Sequence, residues 1–186
     1  PKLSRTKRPE GMSLEEWQIG LRREHGRTQA FDIKNLGEEN VFSEFRVKNV
    51  QSESSYAVLI RGKHLGDNSC TCGDFMTNGL GTCKHIEFTL GHIERKRGGL
   101  LALERGCPPA HSEVYLRFGK QREVVFRPGV DCPPSLARLA ERYFADEGAL
   151  LPSALLTFDE FATEVQALDH EVRIREEVRR GIGHER

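Results

Sequence analysis

No stretch of the chain stays apolar for the roughly 18 residues that a membrane-crossing helix takes, so no span is expected. Nor is there an excess of either charge. Lys and Arg total 28 and so do Asp and Glu, so any nucleic-acid surface must come from local clustering. The basic N-terminus, PKLSRTKRPEGMSLEEW, has no apolar segment behind it and does not read as a secretory signal. GxxxxGK[ST], GxSxG and HExxH are all missing, which removes three well-marked routes to catalysis. The acidic pairs Glu15-Glu16 and Glu176-Glu177 read as helix solvation rather than acid/base machinery. The 186 residues suffice for one ordinary domain or two small ones, and a hydrophobic share of 37% implies a modest core.

Cysteine is scarce as well. There are five, an odd number, and three fall in CTCGDFMTNGLGTCKH, residues 70–85. A secreted disulfide framework spreads an even number of cysteines through the chain. A reducing, cytoplasmic compartment is therefore expected. Cys107 and Cys132 each sit beside prolines, far from any matching pair, as small buried or loop thiols.

The pattern around the cluster predicts an α+β chain. Residues 1–12 look like a disordered basic leader. Ser13 with Glu16 makes a capping box, and Leu14, Trp17 and Leu21 share one face, predicting a short helix over 14–25. Phe45, Val47 and Val50, then YAVLI after a Ser-rich turn, predict a β-hairpin in residues 41–62. Ile86, Leu90 and Ile93 predict a helix from Cys83 that ends at Gly98-Gly99. EVYLRFGKQREVVFRPG reads as a second hairpin. Pro133-Pro134 opens a helix carrying Leu136, Leu139, Ala140 and Tyr143. The TFDE capping pattern at Thr157 starts a last helix with Phe158, Phe161, Val165, Leu168 and Val172 in one stripe, after which a charged tail fades out. Three regions follow: 1–34 as leader and short helix, 35–100 around the cluster, and 101–186 as hairpin plus helices.

Cys70, Cys72, Cys83 and His85 have the types and spacing of a structural metal site. C-x-C on extended backbone points two sulfurs the same way. The loop of ten residues, with Gly73, Gly79 and Gly81, brings the chain back. Cys83 and His85 start a helix, whose positive end favours a thiolate. Lone buried cysteines or a redox C-x-C would not account for the second pair. Iron–sulfur clusters usually take four thiolates, and catalytic zinc keeps one position open, so one closed structural Zn²⁺ fits best and no catalytic residue is assigned. His64 and His92 read as a surface histidine and a solvated helix position.

The order YAVLI, SCTCGDF, GTCKHI and helix resembles the SWIM zinc finger, with its C-x-C, variable loop and C-x-H in a ββα arrangement. The resemblance implies ligands Cys70, Cys72, Cys83 and His85, and Phe75 packed under the metal. Asp74-Phe75 and Lys84 also match. SWIM fingers occur in bacterial Swi/Snf-type helicase-like ATPases, Mutator-type transposases and ubiquitin-pathway proteins. FSEFRVKNV, HIERKRGG, SEVYLRFG, VVFRPG and PPSLARLAERYF are similar to the region preceding the ATPase core in the first group, over roughly residues 35–175. The residues hold no Walker A lysine or DEAD-type box, so this similarity implies a non-enzymatic accessory part, or else a stand-alone module.

Two functions remain open. Lys84, Arg95, Lys96 and Arg97, with Arg117, Lys120, Arg122 and Arg127 further on, suggest DNA contact through phosphates. Basic residues at a helix C-terminus also satisfy its dipole without DNA. The neutral overall charge favours docking onto protein, for instance the ATPase core of the same or a partner chain. No small-molecule substrate or membrane partner is expected. Loss of metal is expected to melt residues 55–97 and to leave the rest folded.

Overall fold

Ser13 opens the first helix, α1 (Leu14–Thr28), by the expected reciprocal cap. Its Oγ accepts from the Glu16 N–H at 3.1 Å, and the Glu16 carboxylate accepts from the Ser13 N–H at 2.7 Å. That bond to Ser13 also holds the Glu16 carboxyl below its usual range. The computed structural model describes residues 2–185, apart from the side chains of 184 and 185. No helix among the described residues is long and apolar enough to cross a membrane.

The chain divides into two units, Pro1–Cys107 with Phe118–Gln121, and Pro108–Arg117 with Arg122–Arg186. The first contains an antiparallel sheet in the order β1 (Phe31–Asn35), β2 (Glu44–Asn49), β3 (Ser55–Leu59), β4 (Ser69–Cys70). The expected β2–β3 hairpin is present. Its turn is held by Asn49 Oδ1, which accepts from the Gln51 and Ser52 N–H groups, and Val50 lies outside the strand and exposed. Phe45, Val47 and Val58 fill the core beneath helix α3 (Lys84–Glu94). A short helix α2 (Gly73–Asn78) lies between the cysteine pairs where a loop was expected. After a left-handed Gly98, helix α4 (Gly99–Arg105) begins where the sequence pattern seemed only to stop.

Helix α1 lies against α3, so residues 1–34 share a unit with the metal cluster rather than standing apart. Gly26 makes the crossing close. A Cβ there would come within 2.6 Å of the Lys84 carbonyl oxygen and 2.7 Å of the Phe88 nitrogen. In an exposed helix Gly→Ala gains about 1 kcal/mol. Here Gly26→Ala is expected to cost about 1–3 kcal/mol through forced separation of the helices. Denaturant titration checks the sign, and a stabilised variant would refute the close crossing.

Residues 2–12 are not a disordered leader; they pack along α1. The Leu3 N–H donates to Glu24 at 2.9 Å, and the Trp17 indole N–H donates to the Ser4 carbonyl at 2.8 Å. Leu3 fills the space above Gly20, whose missing side chain explains a glycine in mid-helix.

The second unit has a three-stranded sheet in the order β6 (Glu123–Arg127), β5 (Ser112–Arg117), β7 (Val172–Ile174), with β7 parallel to β5. The expected hairpin is β5–β6. Its turn, Phe118–Gln121, belongs to the first unit, where Phe118 packs on Phe75 at 5.0 Å between ring centroids. Helix α5 (Pro134–Glu141) starts at the prolines as expected. Helix α6 (Phe158–Ala167) is shorter than the apolar stripe implied. Leu168 caps it half-exposed, Asp169 turns left-handed at φ 50°, and Val172 enters β7. Thr157 makes no capping bond; its hydroxyl donates to the Ala154 carbonyl instead. The charged tail forms helix α7 (Glu176–Glu185), anchored by buried Val178 and Ile182.

Candidate metal centre

Each of the four ligand candidates is placed by a different piece of backbone. Cys70 ends β4, paired in register with Val58. Cys72 caps α2, its sulfur accepting from the Phe75 N–H at 3.4 Å. Cys83 caps α3 with extended backbone, and His85 lies one residue into that helix. Phe75, 1% exposed, is buried against Phe118.

These elements bring Sγ of Cys70, Cys72 and Cys83 and a ring nitrogen of His85 within 4.8 Å of one another, all in buried side chains. His85 Nδ1 faces Cys70 Sγ at 3.7 Å and Cys83 Sγ at 3.9 Å. Four bonds of 2.0–2.3 Å in a tetrahedron give ligand–ligand edges of about 3.3–3.8 Å, so a divalent ion fits once the side chains draw in. A disulfide would need sulfurs at about 2.05 Å and would strand the third thiol; Cys70, Cys72 and Cys83 form none. No position is left open toward solvent, because Cys83 is 0% and His85 3% exposed.

The electrostatics favour a cation. The hydrogen bond to Cys72 pushes the Cys70 thiol up to about 12, and burial pushes Cys83 up further. Cys72 is driven down by hydrogen bonds from Cys70 and Cys83, so one thiolate is stabilised by two protonated neighbours. A second and third thiolate in this volume need a positive ion between them.

The surroundings hold the ring and the loop. Tyr56 lies 4.4 Å from the His85 ring centre and Phe31 5.3 Å, and the His85 Nε2 has no hydrogen-bond partner among the described residues. Tight packing replaces the polar partner that a metal-bound imidazole usually has. Two tethers were not visible in the sequence pattern. Glu87, 2% exposed, accepts from Thr82 Oγ1 at 2.9 Å and from Arg23 Nε at 3.2 Å, joining the ligand loop, α3 and α1. Asp74 accepts twice from Arg22, at 2.7 and 2.9 Å, joining α2 to α1. Only the carboxylates' positions two and four residues after candidate ligands could have hinted at them.

The expected nucleic-acid contacts separate into two groups. Lys84 Nζ sits 5.9 Å over the Phe31 ring and is half-buried, so it serves the fold. Arg95, Lys96 and Arg97 are exposed at the far end of α3 and have no acidic partner among the described residues. Arg117 is paired with Glu123, and Lys120 with Glu15. Cys107 is exposed and Cys132 half-buried, neither belongs to the cluster, and His64 is exposed. His92 is half-buried against Phe88, and burial holds its pKa down with help from Lys96 and Arg95. No family model matches the chain, and no curated protein and no solved structure matches it either.

Proposed function

We propose that the centre holds one structural zinc ion and that the chain is a non-catalytic, SWIM-like module that engages DNA beside a Swi/Snf-type ATPase core. The observation that carries the structural role is closure: three thiols and an imidazole, each buried, converge with no face open to a substrate. The donor set selects zinc over magnesium or calcium, which prefer oxygen. Helix α3 links the two halves of the proposal, with His85 in its first turn and the exposed Arg95, Lys96 and Arg97 just past its end.

The test is fluorescence anisotropy with labelled duplex and single-stranded DNA across a salt series. Lys96→Ala with Arg97→Ala is expected to lower the salt slope by about 1.8 on duplex, since each phosphate contact contributes about 0.9. No binding at low salt removes the DNA reading. A second reading, docking onto protein, is favoured by Leu100 and Leu101, which α4 leaves 51% and 49% exposed beside these cations. Retention of an ATPase core by the chain in pull-down, weakened by Leu100→Ser with Leu101→Ser, would favour that reading.

A further inference from the structure

We infer that the N-terminal arm, residues 2–12, is a second phosphodiester-binding surface, built and held in place before any ligand arrives. It rests on the nucleic-acid reading above for its ligand class, but on different residues. Lys2, Arg5, Lys7 and Arg8 lie within seven residues, all are exposed, and none has an acidic partner among the described residues. Glu10 is the sole acid in the stretch.

Basic segments poor in apolar residues are usually mobile, because like charges repel and ordering each residue costs about 1–2 kcal/mol in backbone entropy. This one is fixed at three points. Leu3 donates its N–H to Glu24 and covers Gly20, and Trp17 donates to the Ser4 carbonyl. Beyond these pins, the Ser4 hydroxyl accepts from the Thr6 and Lys7 N–H groups, and Gly11 turns back left-handed at φ 77° toward the cap of α1. The loop so formed surrounds an open concavity of about 700 Å³, with Lys7 and Arg8 on its wall beside Ser4 and Pro9. Among its charged lining residues Lys7 and Arg8 outnumber Glu10, so an anion is favoured over a cation there.

A pinned array of cations is what a phosphate backbone uses best. The ordering entropy is already spent in the free protein, so less is lost on binding. Each cation that meets a phosphate releases condensed counterions, so the array sets affinity and salt dependence rather than sequence preference. The same unit carries Arg95, Lys96 and Arg97.

The test uses the full chain, loaded with zinc, and the DNA titrations described above, with an RNA of the same length. Arg5→Ala, Lys7→Ala and Arg8→Ala together are expected to lower the salt slope by about 2.7 on duplex and 2.1 on single strands. That is roughly 100- to 500-fold in affinity at 0.1 M salt. The three side chains are exposed, so thermal unfolding should match the parent and confirm the fold. Trp17→Phe keeps every charge and removes one pin; it should weaken binding about 2- to 10-fold with the slope unchanged. If the triple variant binds like the parent while Lys96→Ala with Arg97→Ala loses affinity, the arm is not a site and the DNA reading stands. If the parent binds no nucleic acid, both fall. If polyglutamate, a polyanion without phosphate, binds the parent as tightly as DNA and the triple variant loses it equally, the arm is not specific to phosphodiesters. Equal loss on DNA and RNA assigns the backbone alone as the ligand; loss on one only assigns the arm to that polymer.

Discussion

Cys83→Ser is expected to abolish zinc binding and unfold the first unit while the second stays folded. Serine keeps the shape of the cysteine side chain and is only slightly smaller at this 0% exposed position; what is lost is chiefly a thiolate. Zinc bound to three cysteines and a histidine in small fingers is worth about 10–16 kcal/mol, coupled to folding. Whole domains are stable by only about 5–15 kcal/mol, so the ion carries a share the first unit cannot replace. The geometry widens the region at risk beyond residues 55–97. Helix α1 buries its Gly26 face on α3, and Arg23 and Arg22 hold it to Glu87 and Asp74. When α3 loses its anchor, α1 and the arm on it lose theirs. Metal analysis with hydrogen exchange checks this. Protection should vanish over α1, α2 and α3 and persist in β5 and α6. Cys107→Ser, at an exposed cysteine, should change nothing. A purified protein without zinc, or a Cys83→Ser variant of full stability, sinks the assignment.

The same site fixes the sign of a pH effect. In the unfolded, metal-free first unit the three thiols are protonated at neutral pH, since an ordinary cysteine titrates at about 8.5. Zinc must displace those protons, so its apparent affinity rises with pH and stabilisation by the metal fades on acidification.

The cluster of four candidate ligands could be read from sequence because metal chemistry tolerates few residue types and spacings. Two cysteines in C-x-C and a C-x-H at a helix start meet those limits without knowledge of the fold. Capping at Ser13 and the β2–β3 and β5–β6 hairpins were legible for the same local reason: their signals lie within a few residues of each other. What escaped was decided at long range. Strand β1 offers only Phe31 and Ile33 as an apolar pair, and its register against β2 comes from the sheet. The arm has the composition of a disordered leader, and its order depends on Gly20, Trp17 and Glu24, each at least 13 residues away. The α6 stripe continued in period past Leu168, but Val172 gains a parallel partner in β5 that a longer helix would deny it. The basic residues showed the converse. Equal in sequence, Lys84 and Lys96 differ wholly in place, one over an aromatic ring and one in solvent.

Phe161→Ala is expected to produce the second large effect, confined to the other unit. The side chain is fully buried, and its ring meets four others: Tyr143 and Phe144 at 5.2 Å, Phe158 at 5.8 Å and Phe126 at 6.4 Å between centroids. These neighbours come from α6, β6 and the segment after α5, so one ring seals the joint between sheet and helices. Truncation of a buried Phe costs about 3–5 kcal/mol, part transfer and part cavity. The edge-on pairs with Phe144 and Phe126, at 77° and 81°, add about 0.5–1.5 kcal/mol each that alanine cannot recover. Rotation of Tyr143 into the gap is opposed by its hydroxyl, which donates to Glu164 at 2.8 Å. The cost therefore falls toward the upper end of the range. Denaturant unfolding should show the transition of the second unit moved to lower concentration or lost. Zinc content and exchange protection in α3 should stay at the level of the parent protein. A loss below about 1 kcal/mol would show that the aromatic cluster repacks freely. Release of zinc would show that the two units fold as one.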